Sequence, residues 1–162
     1  MTDADFDKYV MREFINIVEA AQRPIITPEQ AEKILSSFYI QRGPKVGINT
    51  KLWRGVSDGT GSGMAALGTG LYFAASKKTA ASYGKVIEIP REQLPWNAFR
   101  FKSYNDFEIW MTQVMDILGV DKGELNRMFP DVRHLVKAID PNADGIQVMT
   151  GSEAIFVKYP DA

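Results

Sequence analysis

The sequence predicts an α+β domain in which helices come first, a split β-sheet follows and a helical insertion separates the sheet halves. Two patterns carry this expectation. Apolar residues recur at helical spacing before residue 40 and again between residues 104 and 139. Short apolar, aromatic or alternating segments bounded by glycine and proline occupy 51–90 and 144–158 instead. With 162 residues the chain suits one compact domain spanning 1–162, with a helical part over 1–45 and a core over 50–159.

The first helix is expected where Phe6, Val10, Phe14, Ile17, Val18 and Ala21 form an apolar stripe that Pro24 ends. Thr27-Pro28-Glu29-Gln30 reads as a second start, with threonine at the N-cap, proline at N1 and glutamine at N3. Ala31, Ile34, Leu35 and Phe38 are its expected buried face, and Gly43-Pro44 its stop. Strands follow at Lys51–Val56, Gly70–Ala74 and Lys85–Pro90, with a loop over Asp58–Gly63 and a short helix over Lys77–Tyr83. Phe107, Trp110, Met111, Val114, Met115 and Leu118 then return to helical period from Tyr104 to Leu118, and the methionines and Trp110 read as core. Another helix is expected over Asp131–Ile139. Asp144–Met149 and Glu153–Lys158 close the sheet around the turn Thr150-Gly151-Ser152.

Composition excludes several chemistries. There is no cysteine, so disulfides, thiolate catalysis and cysteine-bound zinc are ruled out. The single histidine, His134, has no second ligand at metal spacing and reads as a satisfied or exposed helical residue; no metal is expected. Net charge is −1, which gives no global field toward nucleic acid. Locally, Lys33, Arg42, Lys45, Lys51 and Arg54 lie in a stretch without any acidic residue, a pattern that attracts anions, although surface solvation accounts for all but Arg54. No apolar run is long enough to span a bilayer, and Met1-Thr2-Asp3-Ala4-Asp5 is acidic where a signal peptide is basic. The expectation is a cytoplasmic protein without a membrane partner.

Chemistry concentrates in three segments. Gly70-Leu71-Tyr72-Phe73-Ala74 offers an aromatic floor for a flat ring, and Tyr83 follows one short helix later. Leu52-Trp53-Arg54-Gly55 precedes them, and Glu153 opens an otherwise apolar strand. Two aromatic faces near an Arg-Gly pair and a carboxylate suit a planar cationic heterocycle on a phosphorylated sugar, which describes the nicotinamide of NAD⁺. Taken singly, Glu153 is an ordinary solvated strand end. Gly59-Thr60-Gly61-Ser62-Gly63 lacks the lysine and hydroxyl of a P-loop and reads as a mobile loop beside a ligand.

Leu52-Trp53-Arg54-Gly55, then Gly68-Thr69-Gly70-Leu71-Tyr72-Phe73-Ala74 with Tyr83 eleven residues after Tyr72, then Ser152-Glu153-Ala154-Ile155-Phe156, stand in this order. Together they resemble the catalytic domain of the ADP-ribosyltransferases, closest to the poly(ADP-ribose) polymerase and diphtheria toxin branch. That branch carries a His-Gly, a Gly-x-Gly-Ile-Tyr-Phe-Ala strand, a second tyrosine and a late glutamate. Asp144-Gly145-Ile146 also looks like bacterial and phage members. The matched motifs run from Leu52 to Phe156; residues 1–45 have no counterpart.

The resemblance implies an ADP-ribosyltransferase-like split sheet and an NAD⁺ site formed by Arg54, Gly55, Ser57, Gly70, Tyr72, Phe73, Thr79, Ala80 and Tyr83, with Glu153, Tyr72 and Arg54 catalytic. In it, Gly55 holds the carboxamide through its backbone, Tyr72 and Tyr83 sandwich the ring, and Glu153 bonds the ribose 2′-hydroxyl and stabilises an oxocarbenium-like state. Three departures stand out. Arg54 replaces the family's histidine, as in the arginine-serine-glutamate toxins, where arginine contacts the NAD⁺ phosphates and ribose. Ala80 stands where the polymerases place a carboxamide-binding serine, with Thr79 the neighbouring hydroxyl. Gly151 stands where arginine-modifying toxins have a second glutamate, which disfavours arginine as acceptor.

The expected activity is mono-ADP-ribosylation of a macromolecular acceptor, a protein before a nucleic acid, by a toxin-like bacterial or phage effector that would then act in a host cytoplasm. The alternatives are an NAD⁺ glycohydrolase and a catalytically inactive module of the same fold that binds NAD⁺ or a partner.

Overall fold

The computed structural model describes residues 5, 10, 26–56, 67–150 and 153–160. The first expected helix, the Asp58–Gly63 loop, Ser57, Gly151 and Ser152 therefore lie outside the described residues, except that Val10 is helical and 47% exposed.

Helix α1 (Pro28–Leu35) begins as its sequence dictates. The Thr27 hydroxyl accepts from the Gln30 amide at 3.1 Å, and the Gln30 side chain accepts from the Thr27 amide at 3.0 Å. The helix stops earlier than Gly43-Pro44. Ser36 caps it, its amide and hydroxyl both bonding the Glu32 carbonyl, so Phe38 lies beyond the helix and is 81% exposed instead of buried. Hydroxyls that compete for backbone acceptors end a helix without any glycine or proline.

Strands β1 (Gln41–Arg42), β2 (Leu52–Val56) and β3 (Leu71–Ala74), helix α2 (Lys77–Ala81), β4 (Lys85–Ile89) and β5 (Phe99–Phe101) follow. Helices α3 (Tyr104–Leu118), α4 (Lys122–Met128) and α5 (Val132–Ile139) form the insertion, and β6 (Gly145–Thr150) and β7 (Glu153–Lys158) close the chain's sheet. Among the described residues seven strands make one mixed sheet in the order β1-β5-β6-β7-β3-β2-β4; β5 and β6 are parallel and the other pairs antiparallel. The fold class is α+β. Neither β1, β5 nor α4 is expected from the sequence.

The pleat sorts side chains into two layers. Tyr72, Ile146, Val148 and Val157 face the larger core, where the insertion packs Phe107, Trp110, Val114, Leu125, Leu135 and Val136. Trp110 is fully buried and its indole N–H donates to the Ile34 carbonyl, tying α3 to α1. Leu52, Phe73, Ile89, Ala154 and Phe156 face the smaller core, with Phe73 and Phe156 stacked at 5.0 Å. Residues 43–47 form a strap held over this second layer. The side-chain amide of fully buried Gln147 accepts from the Lys45 N–H and donates to the Lys45 carbonyl, both at 2.7 Å. Arg91 donates to the Gly47 and Val46 carbonyls, and Arg100 to that of Gly43.

Candidate functional site at the divergence of two strands

Strands β2 and β3 share one register pair, Trp53 with Ala74, whereas β2 pairs with β4 at five positions and β3 with β7 at four. The sheet thus opens just past Trp53. Continuing the antiparallel register sets Gly55 opposite Tyr72 across the opening, with Gly55 on β2 and Tyr72 on β3. Two of the sequence's aromatic-site segments therefore meet at one place.

Gly55 is pressed against α2. A Cβ there would lie 2.0 Å from the Ala80 carbonyl oxygen and 2.9 Å from Tyr83 Cβ, distances no side chain accommodates. Ser76 fixes the helix from the other end, its hydroxyl accepting from the Thr79 amide at 3.2 Å. Ala80 is buried in this contact and Thr79 half-buried, while Tyr83 just past the helix is 67% exposed. Gly55, α2 and the exposed Tyr83 are thus packed into one unit.

The Tyr72 ring packs against the larger core. Its hydroxyl donates to the Gly68 carbonyl, and burial raises its phenol well above the ordinary value. No ring contact joins Tyr72 to Tyr83 among the described residues. The turn Leu67-Gly68-Thr69 that receives Tyr72 is tied from three sides. The buried Tyr159 hydroxyl donates to the Leu67 carbonyl at 3.1 Å, and Asp131 at the N-cap of α5 accepts from the Thr69 amide at 3.0 Å and the Arg133 amide at 2.9 Å. Burial pushes the Asp131 carboxyl up, but hydrogen bonds from Thr69 and Arg133 outweigh it and hold the group below the ordinary carboxylate value. Gly68 has φ +101° and no room for a side chain against Asp131 and Arg133, so glycine is required there.

The remaining residues divide as follows. Gly70 is buried against β7, where a Cβ would meet the Lys158 carbonyl at 2.4 Å. Phe73 is 3% exposed and stacked in the smaller core, so it supports the strand and offers no surface to a ligand. Arg54 is half-buried and alternates with Trp53 and Gly55, which places it on the face of Leu52 and Ile89, opposite α2. Glu153 opens β7 with its backbone paired to Thr150, and it shares register parity with Val157, the partner of Tyr72. The β3–β7 ladder continues through the Ala75 amide to the Ala154 carbonyl at 3.1 Å, which brings Ser76 opposite Glu153. Four residues of strand, about 13 Å, separate the Glu153 row from the Tyr72 row. The Trp53–Ala74 row lies between them.

Trp53 is a residue that sequence reasoning passed over as part of the Arg-Gly segment. It is half-buried on the α2 face, and the Lys77 ammonium sits over its ring, 5.0 Å from the centroid. Their signal is visible only in three dimensions, because the two residues belong to different elements.

Comparison of the chain with protein-family models, curated proteins and solved structures gives no match. Among the described residues no group of three or more acidic or histidine side chains is placed to hold a metal ion, and no helix is long and apolar enough to cross a membrane.

Proposed function

We propose that the chain is an NAD⁺-cleaving ADP-ribosyltransferase that releases nicotinamide and transfers ADP-ribose to a macromolecule. The observation that carries this reading is the opening between β2 and β3, where Gly55 stands opposite Tyr72 and is backed by α2 and Tyr83. Past Trp53 the edge of β2 is no longer paired with β3, which gives an amide-bearing ring a strand edge to approach, and the exposed phenol of Tyr83 supplies a stacking face.

In this reading the carboxamide of nicotinamide bonds the Gly55 backbone and Tyr83 covers the pyridinium, whose positive charge favours an aromatic face. Tyr72, held by Gly68, lines the far wall of the opening and keeps that wall rigid. The bond between C1′ of the ribose and the ring nitrogen breaks, and its electron pair leaves with neutral nicotinamide. The acceptor's nucleophile attacks C1′ and loses its proton. Glu153, at the mouth of the site in register with Ser76, bonds the ribose 2′-hydroxyl and stabilises the positive charge that grows on the sugar ring. Its negative charge acts more strongly on the transition state than on neutral-ribose substrate, which is what acceleration requires.

A second reading, a module that binds NAD⁺ without turning it over, is favoured by one observation: the Tyr72 hydroxyl is already engaged by Gly68. Chromatographic measurement of nicotinamide released from NAD⁺, with and without cell lysate, separates the two. Transfer requires release together with a mass gain of one ADP-ribose on a macromolecule; release with free ADP-ribose alone indicates a glycohydrolase. Glu153→Gln is expected to lower release by about 10²–10³-fold. Wild-type turnover in that variant removes Glu153 from the reaction, and no release from the wild type under any condition leaves the binding module.

A further inference from the structure

We infer that Lys77, seated on Trp53, is the cation that receives the diphosphate of NAD⁺, a role distinct from anything Arg54 can perform from its side of the sheet; this rests on the reading of the site given above. The pleat of β2 decides which side chains share a face. Trp53 and Gly55 alternate with Leu52, Arg54 and Val56 along β2. Leu52 packs in the smaller core with Phe73, Phe156 and Ile89, so Arg54 leaves the strand on that side. The backbone of Gly55 meets Ala80 and Tyr83, so Gly55 and Trp53 look toward α2. A ligand that enters the β2–β3 opening beside Gly55 and is covered by Tyr83 borders the α2 face, where Lys77 is held against Trp53.

Its position is defined by a contact. The ammonium stands 5.0 Å from the centroid of the Trp53 ring, close enough for a cation–π attraction to restrict a side chain that would otherwise sample many rotamers. Trp53 occupies the row between Gly55 and Glu153, so its ring holds the ammonium beside the proposed site. Helix α2 has no acidic residue in its first turn, and no ion pair to Lys77 forms among the described residues. Glu88 pairs in register with Trp53 from β4, yet it too makes no ion pair with Lys77. The ammonium therefore keeps its charge-assisted hydrogen bonds for an incoming anion. Lys77 and its neighbour Lys78 are both exposed, but Lys78 makes no comparable aromatic contact among the described residues.

The test titrates the whole chain calorimetrically with ADP-ribose and, separately, with nicotinamide. Lys77→Met keeps the aliphatic stem over Trp53 and removes only the charge. It is expected to weaken ADP-ribose binding about tenfold and to leave nicotinamide binding unchanged. Lys77→Arg is expected to restore most of the loss, and Lys78→Met to bind both ligands as the wild type does. Wild-type affinity for ADP-ribose in Lys77→Met overturns the assignment, as does an equal loss in Lys78→Met or a larger one in Arg54→Met. A wild-type chain that binds neither ligand overturns the functional reading along with it, whereas one that binds both with Lys77→Met unaffected overturns the role of Lys77 alone.

Discussion

Gly55 on β2 and Ala80 on α2 touch through backbone alone: the space a Cβ would occupy on Gly55 is taken by the Ala80 carbonyl, 2.0 Å away. The short helix is thereby locked onto the strand, and Tyr83 inherits its position from that lock. The helix has few other anchors, since it spans only five residues and buries one of them, Ala80.

Gly55→Ala must displace α2, because the obstructing atoms are backbone and cannot rotate away. The expected cost is about 1–3 kcal/mol in urea unfolding, in the range of overpacked cores. The same variant should lose NAD⁺ binding out of proportion to its stability. A variant with wild-type stability would show that the helix moves freely against β2.

Tyr83→Ala separates binding from folding. The residue is 67% exposed, so the unfolding free energy should change by no more than about 0.5 kcal/mol. Loss of a stacking face should raise the Michaelis constant for NAD⁺ several-fold to about tenfold, with a smaller effect on turnover. An unchanged Michaelis constant would argue that the pyridinium lies elsewhere.

Gln147→Leu tests the strap over the smaller core. The substitution leaves the N–H and the carbonyl of Lys45 without their partners, and each orphaned group costs about 1–3 kcal/mol if it stays buried. The expected result is a clear loss of stability together with faster amide exchange at Lys45. Slow exchange there in the variant would mean that the strap is held by Arg91 and Arg100 alone.

Asp131 gives a pH dependence with a definite sign. Hydrogen bonds depress its folded-state value below the ordinary 3.8, so its contribution is fully present above that value and is lost as pH falls through the depressed folded value. Asp144 acts oppositely: burial raises its carboxyl despite the bond from the Asn97 amide, so protonation favours the folded form as pH falls toward its raised value. Thermal midpoints of wild type and Asp131→Asn should therefore differ most at neutral pH and converge as pH falls through the depressed value of Asp131. A gap that stays constant across that range would assign the variant's loss to geometry and not to charge.

Much of the fold is legible in the sequence wherever one local rule suffices. Thr27, Pro28 and Gln30 specify the start of α1, and the apolar period from Phe107 to Leu118 specifies α3 at both ends. Asp131 marks the start of α5 in the same way. Elements that depend on a distant partner are not legible. Phe99–Phe101 is a strand because it lies parallel to β6, and three residues carry no period of their own. Helix α4 has Asp121 at its N-cap, but it buries only Leu125, too little for an apolar stripe.

The site divides along the same line. Glycine at position 55 and tyrosines at 72 and 83 draw attention through residue type and order, and the register sets Gly55 opposite Tyr72. The Tyr72–Gly68 bond lies within one segment, whereas the Asp131–Thr69 bond joins positions 62 residues apart whose relation no pattern announces. The side of β2 from which Arg54 departs depends on which neighbour, Leu52 or Trp53, reaches the core. Both are large and apolar, so the sequence leaves that choice open.

The placement of β7 bears on how the molecule is made. Fully buried Phe156 and Val157 sit on the strand that bridges β6 to β3, so β1, β5 and β6 have no lateral contact with the other half of the sheet until residues 153–158 leave the ribosome. During synthesis the nascent chain must hold two unfinished sheet fragments apart, each with an unsatisfied edge, and a stalled translation product ending before residue 153 is a candidate for chaperone capture or degradation.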